Sequence, residues 1–137
     1  LAESLHRQPT FDRRLLEIDF GDWEGVAWDD IDRQSLDAWA ADPLHFVAPG
    51  GESAAVLQTR ALDCVRSLDG DRVALVTHAG VIRAVLGHWL RMPIDEWSLL
   101  PLAFGSVTLL EIDVDHAQRS PLDEQLPRAG ILHYCNL

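Results

Sequence analysis

No lysine occurs in this chain: all 11 basic residues are arginine, against 22 aspartates and glutamates, for a net charge of −11 over 137 residues. A surface for nucleic acid or an anionic membrane needs clustered positive charge, so neither is an expected partner. Cysteine is scarce as well. Cys64 and Cys135 lie in segments that read as a helix and a strand, at no spacing that makes a disulfide framework or a zinc site. Both read as thiols of a reducing compartment, which makes the cytoplasm the expected location. No apolar run reaches the roughly 18 residues of a transmembrane helix, and the opening residues show no basic-then-apolar leader pattern. The six histidines make no HExxH and no ligand pair at helical spacing, so no metal and no other cofactor is expected.

What is present is enough apolar material for a packed interior. Hydrophobic residues make up 47% of the chain, which reads as one domain over residues 1–137. "LAESLHRQPTF" reads as a helix tail ended by Pro9, and "RLLEIDFG" leads into the loop "GDWEG". Trp28, Ile31, Leu36 and Trp39 suit short amphipathic helices closed by Pro43. "APGGES" breaks the chain, and Ser53 stands where an N-cap belongs. The helix that follows carries an apolar stripe of Val56, Leu57, Ala61, Cys64, Val65 and Leu68, stopped by Gly70.

"RVALVTH" is a short run of buried-strand type. The next helix, "GVIRAVLGHWLRMP", places Val81, Ile82, Val85, Leu86, Trp89 and Leu90 on one face. "SVTLLEIDV" and "ILHYCNL" read as strands around the polar loop "DHAQRSPLDEQLPRAG". This order predicts an α/β fold, a mostly parallel sheet with helices on both faces.

In such sheets ligands bind beyond the carboxyl ends of strands, where helix N-termini point. "LVTHAGVIRAVL" builds that geometry, with His78 at the strand tip and the Ala79 and Gly80 amides opening the helix. Unpaired amides and the helix dipole make an anion cradle there. On pattern alone, a histidine at a strand end is more often a packing residue than a catalytic one. "LLEIDFGDWEG" offers Glu17, Asp19, Asp22 and Glu24 around two glycines. A carboxyl partly withdrawn from water can act as a general acid, although a solvated acidic loop is the plainer reading of any one of them. Glu52 and Ser53 could border a substrate mouth, but capping already accounts for Ser53. The five tryptophans read as core or groove walls.

Taken in order, "LLEIDFGDWEG", Trp39 with Asp42–Pro43, "PGGES", "VALVTHAGVIRAVL" and "GSVTLLEID" resemble the histidine phosphatase (phosphoglycerate mutase-like) superfamily. Within it the chain looks most like the α-ribazole phosphatase branch of cobalamin biosynthesis. The resemblance implies a three-layer α/β/α fold and a metal-independent phosphomonoesterase that works through a phosphohistidine. It places the second catalytic histidine at His78, the general acid at Glu17 and a substrate-binding amide at Ala79, where the family usually has glycine. It also implies a phosphorylated small molecule or inorganic phosphate as ligand, and it is compatible with a homodimer.

One departure stands out. The family's nucleophilic histidine lies in an R-H-G motif after its first strand, and this chain contains no R-H-G triplet. His6-Arg7 has the wrong order and position for it. The expectation is therefore a domain that is N-terminally incomplete as it stands, lacking the family's first strand, the nucleophile and two phosphate-binding arginines. The other reading is a non-catalytic phosphate-binding or scaffolding relative.

Overall fold

A computed structural model describes residues 3–4, 6–70, 72–112 and 132–135. Single 3₁₀ turns at Arg13–Leu15, Gly21–Trp23 and Trp28–Asp30 shape the first part of the chain. Four α-helices follow: α1 (Arg33–Ala41), α2 (Ala54–Arg66), α3 (Ala79–Leu90) and the one-turn α4 (Ile94–Trp97). Strands β1 (Val107–Leu110) and β2 (Leu132–Cys135) form an antiparallel pair, with Val107 opposite Cys135 and Leu110 opposite Leu132. The expected helix tail at the start is instead a turn, in which the His6 amide donates to the Glu3 carbonyl at 3.0 Å.

The helix boundaries follow local chemistry. The Asp32 carboxylate caps α1 by accepting from the Ser35 amide at 2.8 Å, and α1 ends at Ala41, ahead of Pro43. Ser53 caps α2, its Oγ accepting from the Val56 amide at 3.3 Å. Helix α3 stops at Arg91, which takes the left-handed conformation at φ 54° just before Met92–Pro93.

The core lies between α2 and α3. Leu57, Ala61, Val81, Ala84 and Trp97 make up its buried centre, with Leu15, Ile18, Val85 and Met92 packed around it. The expected apolar stripes are partly re-aimed. On α2, Val56 is 51% exposed, while Leu62 is buried. Leu57, Ala61 and Cys64 form the row that faces inward, and Val56 sits about 100° round the helix from Leu57. On α3 Val81 and Leu86 of the expected row are buried together with Ala84 and Gly87, while Ile82, Val85, Trp89 and Leu90 are only half-buried. Small residues explain this choice. Gln58 reaches across from α2 to donate to the Ala84 carbonyl at 3.0 Å. A Cβ on Gly87 would stand 2.2 Å from Nε1 of Trp97, so only glycine lets that indole lie against α3.

The predicted strand "RVALVTH" differs most from expectation. Residues 72–78 form no ladder with any described residue, and Val73 and Val76 are 46% and 79% exposed. Apolar, β-branched composition favours a strand, yet a strand exists only where a second segment supplies its hydrogen bonds. Among the described residues the sole ladder is the antiparallel β1–β2 pair, so the mostly parallel sheet expected from the sequence is not present there. The polar loop at 115–130 lies outside the described residues.

Candidate active site

The sequence motifs that are far apart along the chain meet at the N-terminus of α3. His78 is the N-cap residue of α3, at φ −110° and ψ 162°, and its exposed side chain makes no capping bond. Thr77 ties this segment to the first part of the chain by donating from Oγ1 to the Leu15 carbonyl at 2.7 Å. That bond brings His78 beside the segment carrying Glu17. The Glu17 carboxylate then closes the gap: Oε2 accepts from the Gly80 amide at 3.1 Å and Oε1 from the Ile18 amide at 3.0 Å.

Glu17, His78 and the start of α3 are thus one constellation. Its geometry depends on Gly80, where a Cβ would fall 2.1 Å from Oε1 of Glu17. Of the two amides expected to form an anion cradle, Gly80 is already occupied by Glu17, whereas no described residue accepts from Ala79. A carboxylate on a helix N-terminus is electrostatically favoured, and the remaining amide keeps its affinity for an anion.

A second contact set joins "GDWEG" to "PGGES". The Asp22 amide donates to the Pro49 carbonyl and the Glu52 amide to the Asp19 carbonyl, each at 2.8 Å. The two loops approach so closely that glycine is required on both sides. A Cβ on Gly21 would lie 2.2 Å from the Pro49 oxygen, and one on Gly51 would lie 2.4 Å from the Asp19 oxygen. Asp19 caps its own turn by accepting from the Gly21 amide at 2.8 Å, and Glu24 accepts from the Phe20 amide at 3.0 Å. These carboxylates have structural partners in the loop; Glu17 alone of the four contacts α3.

Glu52 does not face outward as a mouth residue. It is paired with Arg60 of α2, whose Nε donates to Oε2 at 3.0 Å, and both side chains are largely buried. Arg60 also donates from Nη1 to the Arg14 and Leu16 carbonyls, each at 2.8 Å, and from Nη2 to the Glu17 carbonyl at 3.0 Å. Sequence reasoning missed Arg60. Its only signal was a cation in the middle of an amphipathic helix, eight residues beyond Glu52.

Aromatic rings wall the 20–46 region. Trp23 stacks on Phe46 at 5.3 Å and Trp28 on Trp39 at 5.6 Å, while Phe20 meets Trp28 edge-on at 6.2 Å. Of the tryptophans expected as core or groove walls, Trp97 is buried in the core, while Trp28 is 54% exposed. Behind the site, the Arg14 guanidinium grips Asp12 through bonds of 2.6–3.1 Å and holds that carboxyl well below the usual range. Burial pushes the Cys64 thiol up, and Cys64 donates to Asp12 at 3.6 Å. No cluster of three or more metal-ligating side chains occurs among the described residues. No described helix is long and apolar enough to cross a membrane.

The sequence profile of the histidine phosphatase superfamily, branch 1, matches residues 1–121. The chain belongs to the histidine phosphatase superfamily. Among curated members, it is 33% identical over 104 residues to a glucosyl-3-phosphoglycerate phosphatase of Mycolicibacterium vanbaalenii, a match covering 66% of this chain and 46% of that protein. The chain thus spans about half the length of the curated histidine phosphatases it matches. Among solved structures, YhfR of Bacillus stearothermophilus is 34% identical, with a TM-score of 0.64 over 74% of this chain and 55% of that one. A mycobacterial glucosyl-3-phosphoglycerate phosphatase in complex with VO3 is 25% identical, with a TM-score of 0.71 over 100% of this chain and 68% of that one. These neighbours support the α/β class. Membership of the superfamily does not specify the α-ribazole branch, since the curated relatives reported carry another substrate in their name.

Proposed function

We propose that this chain carries the proton-donating and anion-stabilising part of a metal-independent phosphomonoesterase site. The observation that carries the reading is the seating of the Glu17 carboxylate on the Gly80 amide, directly beside His78 at the start of α3. Glu17 is the proton donor to the leaving alkoxide, and His78 with the Ala79 amide stabilises charge on the equatorial phosphoryl oxygens. In the family reaction a histidine nitrogen attacks phosphorus, the P–O bond to the alcohol breaks, and the alkoxide takes its proton from Glu17. Water then attacks the phosphohistidine, giving inorganic phosphate and restoring the histidine. No residue of this chain is assigned as that nucleophile. The VO3 bound by a structural neighbour supports a phosphoryl-binding site of this kind.

Glucosyl-3-phosphoglycerate and α-ribazole 5′-phosphate are the two substrates to compare, the first from the relatives and the second from the loop sequences. The decisive experiment uses a form of the protein that carries an R-H-G histidine and measures release of phosphate from both, and from p-nitrophenyl phosphate, in the presence of a metal chelator. Turnover with an acid-labile phosphoenzyme, lost about 100-fold or more in Glu17→Gln, is the expected result. Turnover that requires added metal overturns the proposal. The alternative reading is a phosphate-binding relative without chemistry. Phosphate that shifts the His78 and Ala79 resonances without any phosphoenzyme would decide for it.

A further inference from the structure

We infer that Arg60 is the positioning residue for the Glu17 proton donor, acting through the backbone with Glu52 as its partner. The inference rests on the functional reading of Glu17 given above. Arg60 projects from the second turn of α2, and one guanidinium serves two ends of the same short segment. On the N-terminal side it donates to the Arg14, Leu16 and Glu17 carbonyls at 2.8, 2.8 and 3.0 Å. On the C-terminal side it holds the Glu52 carboxylate. That carboxylate accepts from the Asp19 amide at 3.2 Å, and the Glu52 amide donates to the Asp19 carbonyl at 2.8 Å.

Glu17 is therefore fixed by backbone contacts at its own carbonyl and two residues beyond it, while its side chain is left to meet α3. Leu16 and Glu17 are consecutive, and their carbonyls would point to opposite sides in a regular strand. Here both accept from one guanidinium, so the backbone leaves the regular pleat at this residue. Its carboxylate then lands on the Gly80 amide at 3.1 Å. The planar fork of arginine suits this task, since it offers five donors in fixed directions. A lysine has the charge but cannot reach the same acceptors together. Misplacement of a catalytic group by about 1 Å can cost roughly 100-fold in rate. Arg60 thus acts on the reaction without touching the reacting atoms.

The test follows the Gly80 amide resonance of the folded chain by NMR, alongside turnover of p-nitrophenyl phosphate by a form of the protein that carries an R-H-G histidine. Glu17→Gln first marks where that resonance lies when the carboxyl acceptor is replaced. Arg60→Gln should move the resonance at least halfway toward that position. It should also lower kcat roughly tenfold to 100-fold, with KM changed less than about twofold. Arg60→Lys should behave like Arg60→Gln, and rescue by lysine would overturn the inference, because charge alone would then suffice. Glu52→Gln, nearly isosteric, should give a smaller shift in the same direction, and it decides the matter if Arg60→Gln does not fold. A Gly80 amide unmoved in Arg60→Gln and Glu52→Gln sinks the inference, whatever the activity. Turnover indifferent to Glu17→Gln overturns the functional reading alone, since the NMR readout needs no chemistry.

Discussion

The segment 12–21 and the segment 72–78 both lead into the site, yet they are held in opposite ways. The first is fastened by side chains from distant parts of the chain: Arg60, Glu52 and the close-packed Pro49–Gly51 turn. The second has an apolar sequence suited to a buried strand, but its side chains at Val73, Leu75 and Val76 stand 39–79% exposed. Its described anchor to the first segment is the single bond from Thr77 to Leu15. The contrast shows that hydrophobic composition does not by itself make a strand. Hydrogen-bond partners and a covering layer decide that, and the irregular but well-partnered segment is the better defined of the two.

Core packing beneath the fastened side should show the largest effect. Leu57→Ala removes a side chain that is 2% exposed at the centre of the α2–α3 core. It should cost roughly 2–5 kcal/mol in denaturant unfolding. Gly21→Ala attacks the loop junction, where the new Cβ meets the Pro49 oxygen and φ is +54°. A loss of roughly 1–3 kcal/mol is expected, with backbone rather than side chain yielding. Removing the α2 cap in Ser53→Ala should cost about 1 kcal/mol.

Val76→Ala, on the exposed side of the comparison, should change stability by less than about 0.5 kcal/mol. Hydrogen exchange sharpens the same point: amides at 73–76 should exchange well before those in the second half of α2. Strong protection at 73–76 would break the contrast.

The smallest effect concerns pH. Burial, with Arg66 nearby, holds His88 below its ordinary value in the folded protein. The unfolded chain then takes up the proton first, so this contribution is present above about pH 6.5 and is lost as pH falls below it. The melting temperature should drop between about pH 7.5 and pH 5.5, and His88→Gln should flatten that drop.

Much of the local architecture was legible because its causes are local. Ser53 ahead of an apolar stripe announces a capped helix, and the prolines at 43 and 93 mark where helices cannot continue. Gly21 and Gly51 fell in breaker clusters that could be read directly, although the reason for them, a near collision of two loops, could not. Similarly, Glu52 read as a residue that could border the mouth, whereas the structure pairs it with Arg60. The strand expected at 72–78 forms no ladder among the described residues, since periodicity describes one segment and a ladder needs two.

The sequence by itself determined α2 with its Ser53 cap and the helix that follows His78. Its loop motifs around Glu17 and His78 also carry the resemblance to the superfamily to which the chain belongs. Only the tertiary structure decided that the Gly80 amide serves Glu17, and that Arg60 holds the backbone on which Glu17 stands. Those bonds join residues 63 and 43 positions apart. The reason is physical: capping and helical periodicity act over a few residues. A hydrogen bond across the fold exists only once packing has brought its two ends together.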